Sequence, residues 1–351
     1  MKQIIGRSLE GDVREAVRGL EPAPSMLLMY SDKEHFEENV LTLEKLYPGV
    51  PSISGPGIFY GYGHSPRGVG VCALYGVEAV TGVMHNVSTA PVTDIGSLKR
   101  NCMSIGAGNE NTVCLTLCTG NDACALTTLY SVLSHHGIHV SGGSVEAGQS
   151  VAYNGIICPD SLVYAIVKNP MGKAKVYKEN IYRPMGEERY IASHTDPSTY
   201  YIGELNGKPA KLLYEELLHI TDDQVTDSTL VNPFGRIVGN DIYIVSVSGT
   251  LGDGLTCYRE VNDSDVLVLL ELKDIKSTVR HTIDRIHSDL SRVSGMISVN
   301  CFFRYNLFEK EGYLEDYLRE MAIAPHCGFF GYGEHYNGQF INQSMSCAVF
   351  E

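Results

Sequence analysis

The apolar positions of this chain fall into short runs of two different periods, separated by glycine-rich segments. Leu9, Val13, Val17 and Leu20 recur at helical spacing and predict an amphipathic helix over residues 8–20. Met26-Leu27-Leu28-Met29-Tyr30 and Val113-Cys114-Leu115-Thr116-Leu117 are apolar runs of strand length. Lys211 to His219 reads as a helix opened by Pro209, because proline in a first turn lacks only a donor that would have no partner there. Strands are predicted near 235–248, 254–260 and 265–272. Val279, Ile283, Ile286 and Leu290 share one face of a long helix from Ile275 to Val293. The polar stretch Thr221–Thr229 reads as a linker.

The pattern repeats. At an offset of 87 residues, Ser54-Gly55 falls on Ser141-Gly142, and the run at Met26 falls on the run at Val113. Each copy reads as a strand, a helix, a strand ending in Ser-Gly, a glycine-rich connection and two further strands. The copies span about 24–110 and 111–200. A weaker third copy lies at an offset of 270, which places Met26 on Met296 and Phe59 on Phe329. The predicted fold is therefore α/β, with two parts of mainly antiparallel or mixed sheet and flanking helices, built from repeated β-α-β-β-β units. The parts are predicted at 1–220 and 221–351, with a ligand pocket between them.

Composition removes several function classes. The formal net charge is −14, and the Lys and Arg residues are scattered, which argues against nucleic-acid binding and against an anionic membrane surface. No apolar stretch has membrane-spanning length, and the N-terminus has no signal-like apolar region, so a cytoplasmic protein is predicted. The ten cysteines then read as reduced, mostly buried thiols, with no metal spacing among them. No nucleotide-binding glycine loop, hydrolase elbow or zinc-protease motif is present, and no enzyme activity is predicted. A Cys-dependent enzyme with Cys301 as nucleophile and a distant His is the remaining alternative, and the place of Cys301 in an apolar strand disfavours a thiolate.

Blocks in a fixed order carry a resemblance. They are the Ser54-Gly55 and Ser141-Gly142-Gly143 segments, Glu204–Ala210, and Asn232-Pro233-Phe234-Gly235. Cys301-Phe302-Phe303-Arg304, Gly331-Tyr332-Gly333-Glu334 and Asn342-Gln343-Ser344 complete the series. From about residue 22 to 351 the chain resembles the FIST sensory domains, with an N-terminal and a C-terminal half. It departs from the family pattern at Pro56-Gly57, where Ser or Thr is common, and at Ser344, where Thr is commoner. The resemblance implies an intracellular signal-transduction module that binds a small ligand, such as an amino acid. Some relatives bind haem and report nitric oxide, so haem is the alternative cofactor and otherwise none is expected. The sequence shows no effector block, so a partner in trans is expected, such as a histidine kinase or a cyclic-dinucleotide enzyme.

Candidate site residues follow from the chemistry of these blocks. Glycines after strands admit a ligand to backbone N–H groups. Arg304 offers a fork for a ligand carboxylate, and Glu334 offers a partner for a ligand ammonium or for Arg304 itself. Asn342 could orient a ligand or cap a turn. The expected ligand-binding set is Ser54, Gly55, Ser141, Gly142, Gly143, Cys301, Arg304, Glu334 and Asn342. For haem, His64 and His335 flank glycine turns, while His135, His136 and His139 read as cations at a helix end.

Overall fold

The structure is a computed structural model and describes residues 1–351 apart from Tyr62, Asn109 and Asn121. Two compact units are present. The first comprises Met1–Glu179, Val279–Tyr305 and Glu311–Glu351, and the second comprises Asn180–Thr278 with Asn306–Lys310. The division at 220/221 expected from the sequence falls inside the second unit, because strands on both sides of it belong to one sheet.

In the first unit the chain begins with β1 (Lys2–Ser8), α1 (Val13–Ala16), β2 (Met26–Ser31), α2 (Phe36–Leu46) and β3 (Ser52–Pro56). A hairpin of β4 (Ile58–Gly61) and β5 (Gly63–Ser65) leads to β6 (Val69–Tyr75). The order then recurs as β7 (Glu78–His85), α3 (Ile95–Ser104), β8 (Thr112–Cys118), α4 (Asp122–Leu133) and β9 (His139–Ser144). The hairpin β10 (Val151–Tyr153) and β11 (Ile156–Cys158) follows, then β12 (Ser161–Lys168) and β13 (Ala174–Asn180).

The second unit supplies β14 (Tyr182–Pro184), β15 (Tyr190–Asp196), β16 (Tyr201–Leu205), β17 (Lys208–Pro209) and α5 (Ala210–Leu218). After α6 (Val225–Ser228) come β18 (Phe234–Val238), β19 (Asp241–Val245), β20 (Val247–Leu251), β21 (Gly254–Cys257) and β22 (Val266–Leu272). These strands make a nine-stranded sheet. Tyr190, Ile202, Phe234, Leu255 and Leu267 pack there with Ala210, Leu213 and Tyr214 of α5.

The chain continues through α7 (Ile275–Asp289), β23 (Gly295–Cys301), α8 (Phe302–Lys310), α9 (Leu314–Met321) and β24 (His326–Gly331). A hairpin of β25 (Glu334–Tyr336) and β26 (Gln339–Ile341) precedes the closing β27 (Ser344–Phe350).

The three sheets of the first unit share one strand order: β1-β6-β2-β3-β10-β11, β7-β12-β8-β9-β25-β26 and β13-β27-β23-β24-β4-β5. In each, two strands joined through helix run parallel, and a later strand returns antiparallel beside the first. The outer hairpin of each sheet comes from a different strand–helix–strand segment. The β10–β11 hairpin joins β3, β25–β26 joins β9, and β4–β5 joins β24. The three segments are thereby stitched to one another in a closed cycle.

The continuous apolar runs are explained by burial on both faces. In β2, Met26, Leu28 and Tyr30 enter a core shared with Leu115, Leu117, Ile297, Val299 and Phe329 from the other sheets. Leu27 and Met29, on the opposite face, pack with Val13 of α1 and Phe36, Val40 and Leu43 of α2. In the second sheet Cys114, Tyr164 and Ile166 likewise pack under Leu98 of α3 and Leu126 and Leu129 of α4.

Several sequence expectations are corrected. The helix predicted over 8–20 is a strand ending at Ser8 and one short helical turn. Gly11 and Gly19, at φ +80° and +87°, bound that turn, and Asp12 caps it by accepting from the Arg14 N–H. Thr221–Thr229 is not an extended linker: Asp222–Gln224 is a 3₁₀ turn, α6 follows, and Val225 is buried. The predicted turns at Ser54-Gly55 and Ser141-Gly142-Gly143 lie inside β3 and β9. The 87-residue offset superposes β2, α2 and β3 on β8, α4 and β9, and then slips, because β12 starts later in its segment than β6 does.

Candidate functional site

A cavity of about 640 Å³ opens in the first unit at the C-terminal ends of β2 and β3. Glu10, Asp32, Lys33, Glu34, His35, Arg67 and Glu146 supply its polar lining. Pro56-Gly57-Ile58, Phe302, Phe330 and Tyr332 supply much of the rest. Both halves of the sequence therefore contribute to it. The C-terminal ends of parallel strands are a general location for ligands in α/β proteins, because the chain there turns and can vary without disturbing the sheet.

Asp32 organises the polar side. Its Oδ1 accepts from the His35 backbone N–H at 3.0 Å and meets His35 Nδ1 at 2.7 Å. Its Oδ2 accepts from the Gly68 N–H at 2.7 Å, and Gly68 stands at φ +101°, a conformation suited to glycine. The carboxylate beside it raises the His35 pKa, through the hydrogen bond first and the charge second. Lys33 and Glu146 form an ion pair across the lining. Glu10, Glu34 and Arg67 have no ion pair among the described residues.

The other wall is aromatic. Tyr332 stacks on Phe302 at 5.1 Å between ring centroids and 15° between planes. Phe302 stacks in turn on Tyr305 at 5.7 Å and 28°. Tyr305 packs on Phe330 at 4.9 Å, and Phe330 packs on buried Tyr60 at 4.8 Å. Phe302 comes directly after β23 and Tyr332 directly after β24, so the ladder is set by the ends of that parallel pair. Tyr332 is 44 % exposed and ends the stack.

None of the nine residues expected from the sequence lines this cavity. Ser54 is buried, and a Cβ on Gly55 would meet Val145 Cγ1 at 3.0 Å. A Cβ on Gly142 would lie 2.1 Å from the Thr116 carbonyl oxygen, and one on Gly143 2.6 Å from the Gly333 carbonyl oxygen. These glycines permit close approach of their neighbours within the core. Asn342 is buried in the bend between β26 and β27.

Cys301, Arg304 and Glu334 are buried. Arg304 pairs with Glu179 at 2.5 Å, and not by hydrogen bond with Glu334, and its guanidinium lies 5.3 Å from the centre of the Tyr317 ring. Glu334 Oε2 accepts from the Ser344 backbone N–H at 3.1 Å and from its hydroxyl at 2.7 Å, while Oε1 has no hydrogen-bond partner. Burial pushes the Glu334 pKa up to about 8, against the Ser344 donors, the neighbouring Cys301 thiol and the Arg304 charge, which all lower it. Burial and the adjoining Glu334 hold the Cys301 thiol well above its usual pKa, which disfavours the thiolate.

Two buried polar clusters were not expected. Tyr60, Ser298, Asn300, Tyr317 and His326 form a chain of hydrogen bonds, with Tyr317 donating to Asn300 at 3.0 Å and Asn300 to Tyr60 at 2.8 Å. Burial lowers the His326 pKa to about 4, so the ring is neutral near pH 7. The second cluster surrounds His335, whose Nδ1 meets Thr116 Oγ1 at 2.8 Å. Its Nε2 meets Asp122 Oδ1 at 3.0 Å and Ser144 Oγ at 3.2 Å, and Ser144 also donates to Asp122. The residue types are those of a hydrolytic triad, but serine and aspartate here share one ring nitrogen. A triad needs them on opposite nitrogens, so that the base can take a proton from one side while the acid holds the other. The sequence signal for both clusters was polar residues inside otherwise apolar strands, Thr116 and Ser298 among them.

Two family models match the chain: the FIST N domain over residues 25–208 and the FIST C domain over residues 210–337. The chain belongs to the FIST family. FIST domains are associated with sensory roles in signal transduction, and a role outside catalysis is consistent with the raised pKa of the Cys301 thiol and the geometry at His335. No curated protein matches the chain. Among the described residues no helix is long and apolar enough to cross a membrane, and no group of His, Cys, Asp and Glu is arranged to hold a metal ion.

Four carboxylates, Glu10, Asp32, Glu34 and Glu146, are among the described residues of the lining, a poor match for an apolar macrocycle with two propionates.

Proposed function

We propose that this FIST protein is a sensory module that binds a small amino-acid-like ligand in the cavity at the ends of β2, β3, β23 and β24. The observation that carries this reading is the lining itself. One cavity holds Arg67 and two carboxylates, Glu10 and Glu34, free of ion pairs among the described residues, beside an aromatic wall. A ligand carboxylate suits the Arg67 fork, a ligand ammonium suits the carboxylates, and the side chain suits the rings. The signal passes to a separate signalling protein, such as a histidine kinase or a cyclic-dinucleotide enzyme. The ligand can do this only by binding two states of the module unequally.

The test is mass spectrometry of small molecules carried through native purification, on wild type and on Arg67→Ala. The expected result is an amino-acid-like molecule in near-stoichiometric amount with wild type and at least tenfold less with the variant. Equal recovery from both proteins would remove this cavity from the reading. A Soret band in the absorption spectrum would replace the amino-acid-like ligand with haem.

A further inference from the structure

The geometry points to an ammonium ligand with a planar aromatic body as the preferred occupant of this cavity, an arylalkylamine or an aromatic amino acid. This rests on the proposal that the cavity is the ligand site, and it adds the ligand's class. The charges favour a cation: Glu10, Asp32, Glu34 and Glu146 face Lys33 and Arg67, leaving two negative charges with His35 neutral and one with it protonated. Glu146 is occupied by Lys33, and Asp32 by His35 and Gly68. Glu10 and Glu34 are therefore the carboxylates left for an ammonium.

The rings favour a planar body. An aliphatic side chain needs only apolar surface, which Leu9, Pro56 and Ile58 already offer in the same cavity. The stacked series Tyr305, Phe302, Tyr332 does something more specific. Its planes are close to parallel, and it ends in the half-exposed Tyr332, so a flat group can extend it by one ring. The ring faces also attract a cation placed over them. Tyr305 packs on Phe330, which packs on buried Tyr60, so the ladder is anchored to the core and preorganised.

Isothermal titration of protein freed of carried-over small molecules tests this with four probes: L-phenylalanine, phenethylamine, 3-cyclohexyl-L-alanine and 3-phenylpropionate. L-phenylalanine and phenethylamine are expected to bind. The cyclohexyl probe should bind about fivefold more weakly, as the loss of one ring–ring contact requires. The carboxylate without an amine should bind at least tenfold more weakly. Phe302→Leu should weaken L-phenylalanine about fivefold and L-leucine by less than twofold. Tyr332→Leu, at an exposed position, provides the same comparison should the first variant fold poorly. If L-leucine and the cyclohexyl probe bind as tightly as L-phenylalanine, and Phe302→Leu changes nothing, the aromatic preference is wrong and the amino-acid site stands. Tightest binding of 3-phenylpropionate would overturn the cationic preference. If no amine or amino acid binds, both the preference and the underlying ligand site fall.

Discussion

Glu334 shows how a single buried carboxyl ties stability to pH. Its pKa of about 8 lies above that of an unfolded glutamate. Below the unfolded value the group is neutral in both states and costs nothing. As pH rises toward 8, the unfolded chain ionises while the folded protein holds the proton, and folding loses up to about 1.4 kcal/mol per pH unit. Glu334→Gln keeps an acceptor for the Ser344 N–H and hydroxyl and removes the titration. Urea denaturation is expected to show a stability difference, variant minus wild type, that grows in the variant's favour from pH 5 to pH 8. A difference independent of pH would mean that this carboxyl is ionised in the fold. The sequence singled out Glu334 and Arg304 as chemically unusual, and both are, but it could not show that Arg304 faces Glu179, more than a hundred residues away in the chain. It passed over Asp32 and His35, because an acid and a histidine ahead of an amphipathic segment also read as an ordinary helix start.

At the scale of elements, strands β3 and β9 depend on what their glycines leave out. Gly142→Ala would put a methyl 2.1 Å from the backbone oxygen of Thr116, and its neighbour Thr116 Oγ1 also holds His335. Backbone in the middle of a sheet cannot step aside, so a loss of about 3 kcal/mol is expected. Gly55→Ala meets only methyl groups of Val145 and Leu117, at 3.0 and 3.3 Å, and should cost about 1 kcal/mol. Thermal melts of the two variants check the order, and a Gly55→Ala protein less stable than Gly142→Ala would contradict it. Had these glycines served turns, both changes would act through backbone conformation, but neither glycine stands at positive φ. The strand and helix order was legible in these segments, because apolar runs and helical spacing are local. β1 was not, since Leu9 and the valines after it match a helical period that Gly11 interrupts.

At the scale of the molecule, three sheets of equal strand order exchange hairpins around one core in the first unit. The exchange was invisible in the sequence, because a hairpin carries no mark of the sheet it joins when that sheet belongs to another segment. The same exchange brings Phe302 and Tyr332, late in the chain, to the cavity formed by Asp32, His35 and Arg67 early in it. Their aromatic character alone reads as core. Hydrogen–deuterium exchange followed by mass spectrometry, with and without a mixture of the twenty protein amino acids, tests most directly where the ligand sits. Protection is expected at residues 31–35, 56–58 and 330–332. Protection confined to the segments around Asp122, Ser144 and His335, or no protection anywhere, would contradict that placement.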